Sequence, residues 1–165
     1  MKYIGIDPST KTGLVVLNED GNVLVDKEIT SKIKEDPQRF MDITDQVIKH
    51  FYDTSDVIAI EGFAYGAKGR GVSAQYGIGW QIRAELIRQG FKYIDIPPTS
   101  LKKFATGKGN APKDALVLPI YKKWNYEHSS NDVRDAYVLA QMARGIHGNY
   151  ELTAYQKEAL KKVNK

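Results

Sequence analysis

An α/β layer structure built on a mixed five-stranded sheet is predicted by three features of this 165-residue sequence. Three strand patterns follow one another at the N-terminus, and the second and third are joined by hairpin-turn chemistry. The apolar run Val57-Ile58-Ala59-Ile60 reads as a buried central strand. After it, helical and strand patterns alternate, as they do where helices cover a sheet.

The first strand runs from Lys2 to Asp7 and ends in the tight turn Pro8-Ser9-Thr10-Lys11-Thr12-Gly13. Leu14 to Leu17 is the second. Glu19-Asp20-Gly21-Asn22 supplies residues that tolerate positive φ, so Val23 to Ile29 returns antiparallel. Asp36-Pro37 marks a helix start, because proline in a first turn gives up an N–H that needs no partner. Phe40, Ile43, Val47, Ile48 and Phe51 then recur at helical spacing.

Val57 to Glu61 is the fourth strand, with its acid at the sheet edge. Gly62 to Gly71 is a glycine-rich, mobile connection carrying Lys68 and Arg70, followed by a helix from Ala74 to Gln89 and a strand from Lys92 to Ile96. Beyond Pro97-Pro98 the pattern predicts a short helix (Ser100 to Ala105), the loop Thr106-Gly107-Lys108-Gly109-Asn110, and a helix from about Pro112 to Tyr121. The last core helix spans Asn131 to Arg144. Residues 1–148 are read as one domain and 149–165 as a C-terminal tail or helix. In that tail Leu152, Tyr155, Leu160 and Val163 suit a docked helix, a dimer element or a frayed end.

Composition narrows the function classes. Hydrophobic residues are 42% and charged residues 27% of the chain, as in a folding globular protein. No apolar run reaches the roughly 18 residues of a membrane span and no signal-peptide pattern opens the chain, so a cytoplasmic location is expected. With no cysteine, any metal must be held by oxygen or histidine. The net charge of +4 suits a polyanionic partner.

Four acids carry the chemical argument. Asp7 ends the first strand and Glu61 ends the apolar central strand, so their carboxylates converge if the strands are neighbours. Asp132 and Asp135 are three residues apart, about 60° around one helix face. Ala136, Leu139, Ala140 and Ala143 form a small-residue stripe that lets this helix lie close to the sheet. Singly, each acid has an ordinary explanation: a turn former, a strand-end surface acid, or first-turn aspartates favoured by the helix dipole. Together, four carboxylates repel unless cations neutralise them, and hard divalent ions prefer such ligands. Two ions about 4 Å apart suit in-line displacement at a phosphodiester.

The segments Gly5-Ile6-Asp7-Pro8-Ser9-Thr10-Lys11-Thr12-Gly13, Ala59-Ile60-Glu61-Gly62-Phe63, Thr106-Gly107-Lys108-Gly109-Asn110-Ala111-Pro112-Lys113 and Asn131-Asp132-Val133-Arg134-Asp135-Ala136 resemble, in order, the successive motifs of the RuvC family of Holliday-junction resolvases. The resemblance runs from about Lys2 to Gly145. It implies a ribonuclease-H-like fold and a homodimer that nicks opposing strands of a four-way junction with Mg2+, or Mn2+ in its place, two ions per site. Asp7, Glu61, Asp132 and Asp135 match the catalytic acids. Lys108 and Lys113 match basic positions near the scissile phosphate, with Lys108 expected to assist catalysis and both to contact DNA. Phe63 matches an aromatic that wedges against bases, and Lys68 and Arg70 are expected to contact DNA.

The stretch Gly66-Ala67-Lys68-Gly69-Arg70-Gly71 and the placement of Arg134 between two acids depart from the family pattern. With the small size and basic tail, they look like the phage-borne branch, whose members process several branched structures, forks and flaps included. Three alternatives stay open. A nuclease of structured RNA would use the same acids. The Asp-Pro-Ser-Thr-Lys-Thr-Gly turn also resembles the phosphate-binding turn of sugar kinases and actin-like nucleotide-binding proteins, which need two lobes. A junction-binding scaffold would not need all four acids.

Overall fold

Tyr3–Asp7 (β1) and Val57–Glu61 (β4) run side by side in parallel, and the rest of the sheet is laid out around them. On the other side of β1 lies Thr12–Leu17 (β2), antiparallel, followed by Val23–Ile29 (β3), also antiparallel. Tyr93–Ile96 (β5) pairs in parallel with the outer side of β4. The order is therefore β3-β2-β1-β4-β5, a mixed five-stranded sheet as expected. The computed structural model describes residues 1–148 and 150–163. The tail positions 149, 164 and 165 lie outside the described residues.

Two apolar layers cover the sheet. Gln38–Ile48 (α1) and Val72–Arg88 (α2) lie on one face, where Ile43, Val47, Ile78, Ile82 and Leu86 meet Ile4, Ile6, Leu14, Val16, Ile58 and Ile60. The other face carries Pro98–Thr106 (α3), Val117–Trp124 (α4), Asn131–His147 (α5) and Ala154–Lys161 (α6) over Tyr3, Val15, Leu17, Val57 and Ala59. The division follows strand parity: successive side chains alternate between faces, so Ile4 and Ile6 go one way while Tyr3 and Asp7 go the other. The same parity in β4 separates Ile58 and Ile60 from Val57, Ala59 and Glu61. Both strand-end acids are thereby assigned to the face that α5 covers.

The helix α5 lies on β1, β2 and β4 at backbone contact. A Cβ added to Gly5 would overlap the Ala136 carbonyl oxygen and fall 2.6 Å from the Ala140 nitrogen. The small-residue stripe of α5 is matched by glycines in the strands beneath it. Only where the strand has no side chain and the helix has small ones can backbones approach this closely.

Most boundaries differ from expectation by one or two residues. Thr12 begins β2, held to the preceding turn by its own Oγ1, which donates to the Ser9 carbonyl at 2.6 Å. The single helix expected from about Pro112 to Tyr121 is instead a 3-10 turn, Lys113–Leu116, followed by α4 at Val117–Trp124. Pro119 is the reason: it has no N–H for the Ala115 carbonyl, so a continuous α-helix cannot pass, and it fits the first turn of a new one. In the tail, α6 opens with a Thr153–Gln156 capping box and packs on α3, placing Ala159 and Val163 in the main core.

Candidate metal centre

Ile6 pairs with Ile60, so the next residues on these two parallel strands, Asp7 and Glu61, leave the sheet edge side by side. The first turn of α5 arrives above them because Ser130 caps it, its Oγ accepting from the Val133 N–H, and because Gly13 leaves room beneath it. As a result one carboxylate oxygen each from Asp7, Glu61 and Asp135 lie within 4.8 Å of one another. Asp7 and Asp135 are only 4% and 9% exposed. Asp132, a turn earlier on α5, lies outside that tight trio but close enough to Asp7 for the two carboxyl groups to influence each other. All four expected acids therefore share one edge of the sheet.

Such crowding is expensive for carboxylates, and their titration reflects it. Burial holds Asp7 well above the usual carboxylate range, with the Glu61 and Asp135 charges adding to the effect. Burial, then Glu61, pushes Asp135 up to about 7. Glu61 and Asp132 are also raised by burial, although Lys113 and the neighbouring Asp7 carboxyl oppose it. Without a cation, burial and mutual repulsion shift these acids toward their protonated forms. Closely spaced carboxylate oxygens with no thiol or imidazole among them fit a hard divalent ion, which would relieve their repulsion.

Lys113 is a cation that all four acids act on. Partial desolvation disfavours its charge, but Asp135, Asp7, Asp132 and Glu61 together outweigh this and raise its pKa. Lys102 adds to the field at Glu61 and Lys11 to that at Asp132. Lys108 was expected to be the charge-stabilising lysine; its side chain is exposed on the α3 exit loop, where its N–H donates to Thr106 Oγ1 at 3.0 Å. Arg134 adds its charge to the field at Asp135, while its Nη1 donates to the His128 carbonyl at 2.7 Å. Lys68 and Arg70 are exposed on the connection between β4 and α2.

Phe63 is part of an aromatic cluster beside Glu61. Its ring stacks on Tyr76 at 4.8 Å with planes 2° apart, and contacts Trp80 at 4.8 Å and Tyr65 at 6.2 Å. Tyr65 and Trp80 are 80% and 56% exposed. Next to them a groove of about 540 Å³ runs between Phe63, Tyr65, Trp80, Tyr93 and Pro97. Sequence reasoning singled out Phe63 and missed Tyr65, Tyr76 and Trp80. The available signal was their spacing: Tyr76 and Trp80 are four apart on α2, hence on one helix face. It also missed Arg83, which lies between Phe63 and β5.

Sheet order, parity and the acid-bearing edge define a ribonuclease-H-like fold with a carboxylate centre. Among solved structures this fold is matched by RuvC of Thermus thermophilus: one structure superposes with a TM-score of 0.69 at 17% identity, covering 93% of this chain and 100% of that one. T. thermophilus RuvC in complex with a Holliday junction substrate matches with a TM-score of 0.67 at 18% identity, covering 85% of this chain and 90% of that one. No protein-family model matches the sequence. No curated protein matches it either. At these identities the likeness establishes the fold.

Proposed function

We propose that this chain is a divalent-metal-dependent endonuclease that nicks four-way DNA junctions and other branched DNA, as a phage-type, homodimeric resolvase acting in the cytoplasm of a bacterium or infected host. One observation carries the reading: oxygens of Asp7, Glu61 and Asp135, from three separate elements, converge within 4.8 Å on a fold shared with RuvC. The RuvC structure that holds a Holliday junction supports the choice of substrate.

Asp7, Glu61 and Asp135 would hold magnesium or manganese, with Asp132 completing a site for a second ion. When bound, such ions supply Lewis-acid activation of water and neutralise charge at a phosphodiester. The remaining roles belong to the chain itself. Lys113 faces the same acids and is placed to balance the charge of a phosphate brought against them. Lys68, Arg70 and Lys108 are exposed cations able to contact phosphates along the flanking strands. The Phe63 cluster offers a stacking platform for an unpaired base, which suits a branch point rather than an uninterrupted duplex.

The described residues form a single five-stranded sheet rather than the two lobes of a sugar kinase or actin-like ATPase. The test is a gel of end-labelled four-way junction, fork, flap, linear duplex and structured RNA with magnesium. The reading expects paired nicks in the junction, weaker cutting of fork and flap, and none by Asp7→Asn. Preferential cutting of the RNA, or full junction nicking by a folded Asp7→Asn protein, would overturn it.

A further inference from the structure

Arg83 is the only lysine or arginine side chain among the buried residues described, 3% exposed within the apolar stripe Ile78, Ile82, Leu86 of α2. Its Nη2 donates to the main-chain carbonyl of Glu61 at 2.9 Å and to Asp95 Oδ1 at 2.6 Å, and its Nε also donates to Asp95 Oδ1, at 3.1 Å. Nη1 donates to the Gly79 carbonyl at 3.0 Å. The guanidinium carbon lies 4.5 Å from the centre of the Phe63 ring. One side chain thus touches α2, the last residue of β4, β5, and the aromatic two residues beyond Glu61.

Two further observations show that this contact is built rather than incidental. The Glu61–Gly62 peptide is held from both sides, its carbonyl by Arg83 and its N–H by the Ile96 carbonyl at 2.8 Å. On α2, a Cβ added to Gly79 would fall 2.7 Å from Phe63 Cε1 and 3.2 Å from Arg83 Nη1, so the helix is hollowed where ring and guanidinium meet. An aliphatic residue would extend the apolar stripe without desolvating a charge. The ion-pair partner, Asp95, is 55% exposed, so its attraction is screened and does not by itself account for a buried arginine.

We propose that Arg83 is a positioning residue that clamps the Glu61–Gly62 peptide and the Phe63 ring as one unit. It fixes the distance between the metal-binding carboxylate and the base-stacking ring, and with it which phosphate, counted from the branch point, is cut. The inference rests on the functional reading above. A planar fork that donates in two directions while stacking on a ring is something a lysine ammonium cannot reproduce.

The experiment compares wild type with Arg83→Gln, Arg83→Lys and Asp95→Asn, measuring Mn2+ affinity by calorimetry and cut positions on a four-way junction at nucleotide resolution. For both Arg83 variants the expected result is Mn2+ binding weakened about 10-fold, with cuts spread over neighbouring phosphates. Asp95→Asn, which keeps an oxygen acceptor for the fork, is expected to hold the wild-type affinity within about two-fold and the wild-type cut positions. Lysine keeps the charge, so should Arg83→Gln fail to fold, Arg83→Lys decides. Wild-type affinity and cut positions in either folded Arg83 variant would overturn the proposal, as would an Asp95→Asn protein impaired to the same degree. If wild type binds Mn2+ but cuts no junction, the functional reading fails and the affinity difference alone decides for or against the clamp. If wild type binds no Mn2+, both are overturned.

Discussion

Gly13 lies directly beneath Asp132: a Cβ at position 13 would overlap the Asp132 main-chain oxygen and fall 2.9 Å from the Val133 nitrogen. The acidic turn of α5 therefore rests on bare strand backbone, and its height above Asp7 and Glu61 is set by the absence of a side chain. Gly13→Ala must lift that turn or bend the strand, and neither backbone yields cheaply. We expect the substitution to lower stability by about 2–3 kcal/mol in urea unfolding, and to weaken divalent-ion binding in the folded fraction. Unchanged stability and metal affinity would mean that α5 is free to shift on the sheet.

Lys113 and Lys108 separate cleanly by charge environment, since all four acids act on the first and the second is exposed on its loop. Lys113→Met should lower the single-turnover nicking rate about 100-fold with junction affinity little changed. Lys108→Met should act mainly through binding, losing affinity as salt rises. Equal losses of rate in the two variants would contradict this placement.

The acids make the metal-free protein sensitive to pH, and the sign follows from their direction. Burial and the neighbouring charges raise Asp7 and carry Asp135 up to about 7, above the ordinary 3.8. The folded state thus holds protons that the unfolded chain releases, and stability falls as pH rises from about 4 to about 7. The gap at Asp135 caps its own contribution at about 4 kcal/mol. We expect Asp135→Asn to melt higher than wild type at pH 8 without metal, with the difference closing toward pH 4. Adding magnesium should raise the wild-type melting temperature at pH 8 and leave the variant nearly unmoved. A wild-type Tm that is flat across this range in EDTA would show that the acids are not crowded in solution.

Trp80 stacks against Phe63 with more than half its surface open, so it can be removed without hollowing the core. Trp80→Ala and Phe63→Ala should each weaken junction binding by about 1–3 kcal/mol, and reduce the fluorescence change of a 2-aminopurine placed at the branch point. Trp80→Ala should keep the wild-type melting temperature within a degree or two. Binding unchanged in both variants would remove the aromatic cluster from the interface.

Much of this architecture is legible in the residues themselves, wherever a feature depends on near neighbours along the chain. Alternation in β1 and the apolar run of β4 place Asp7 and Glu61 at strand ends. The turn at Gly21, where φ is +87°, forces β3 back along β2, and three-residue spacing puts Asp132 and Asp135 on one helical face. What stayed hidden depends on segments far apart in sequence. Lys108 and Lys113 were both singled out, but that the four acids act on Lys113, on its 3-10 turn, while Lys108 is exposed on its loop was not legible locally. The partners of Phe63 come from α2, across a connection whose path no local pattern dictates.

The sequence alone thus determined which side chains could bind a cation and on which face of their elements they stand, because period 2 and period 3.6 are local geometry. Tertiary structure decided how closely they approach. Bare glycines under α5 bring three carboxylates within 4.8 Å, and a buried guanidinium from another helix holds the strand end between Glu61 and Phe63. Those distances arise from backbone packing between remote segments, which side-chain periodicity along the chain does not encode.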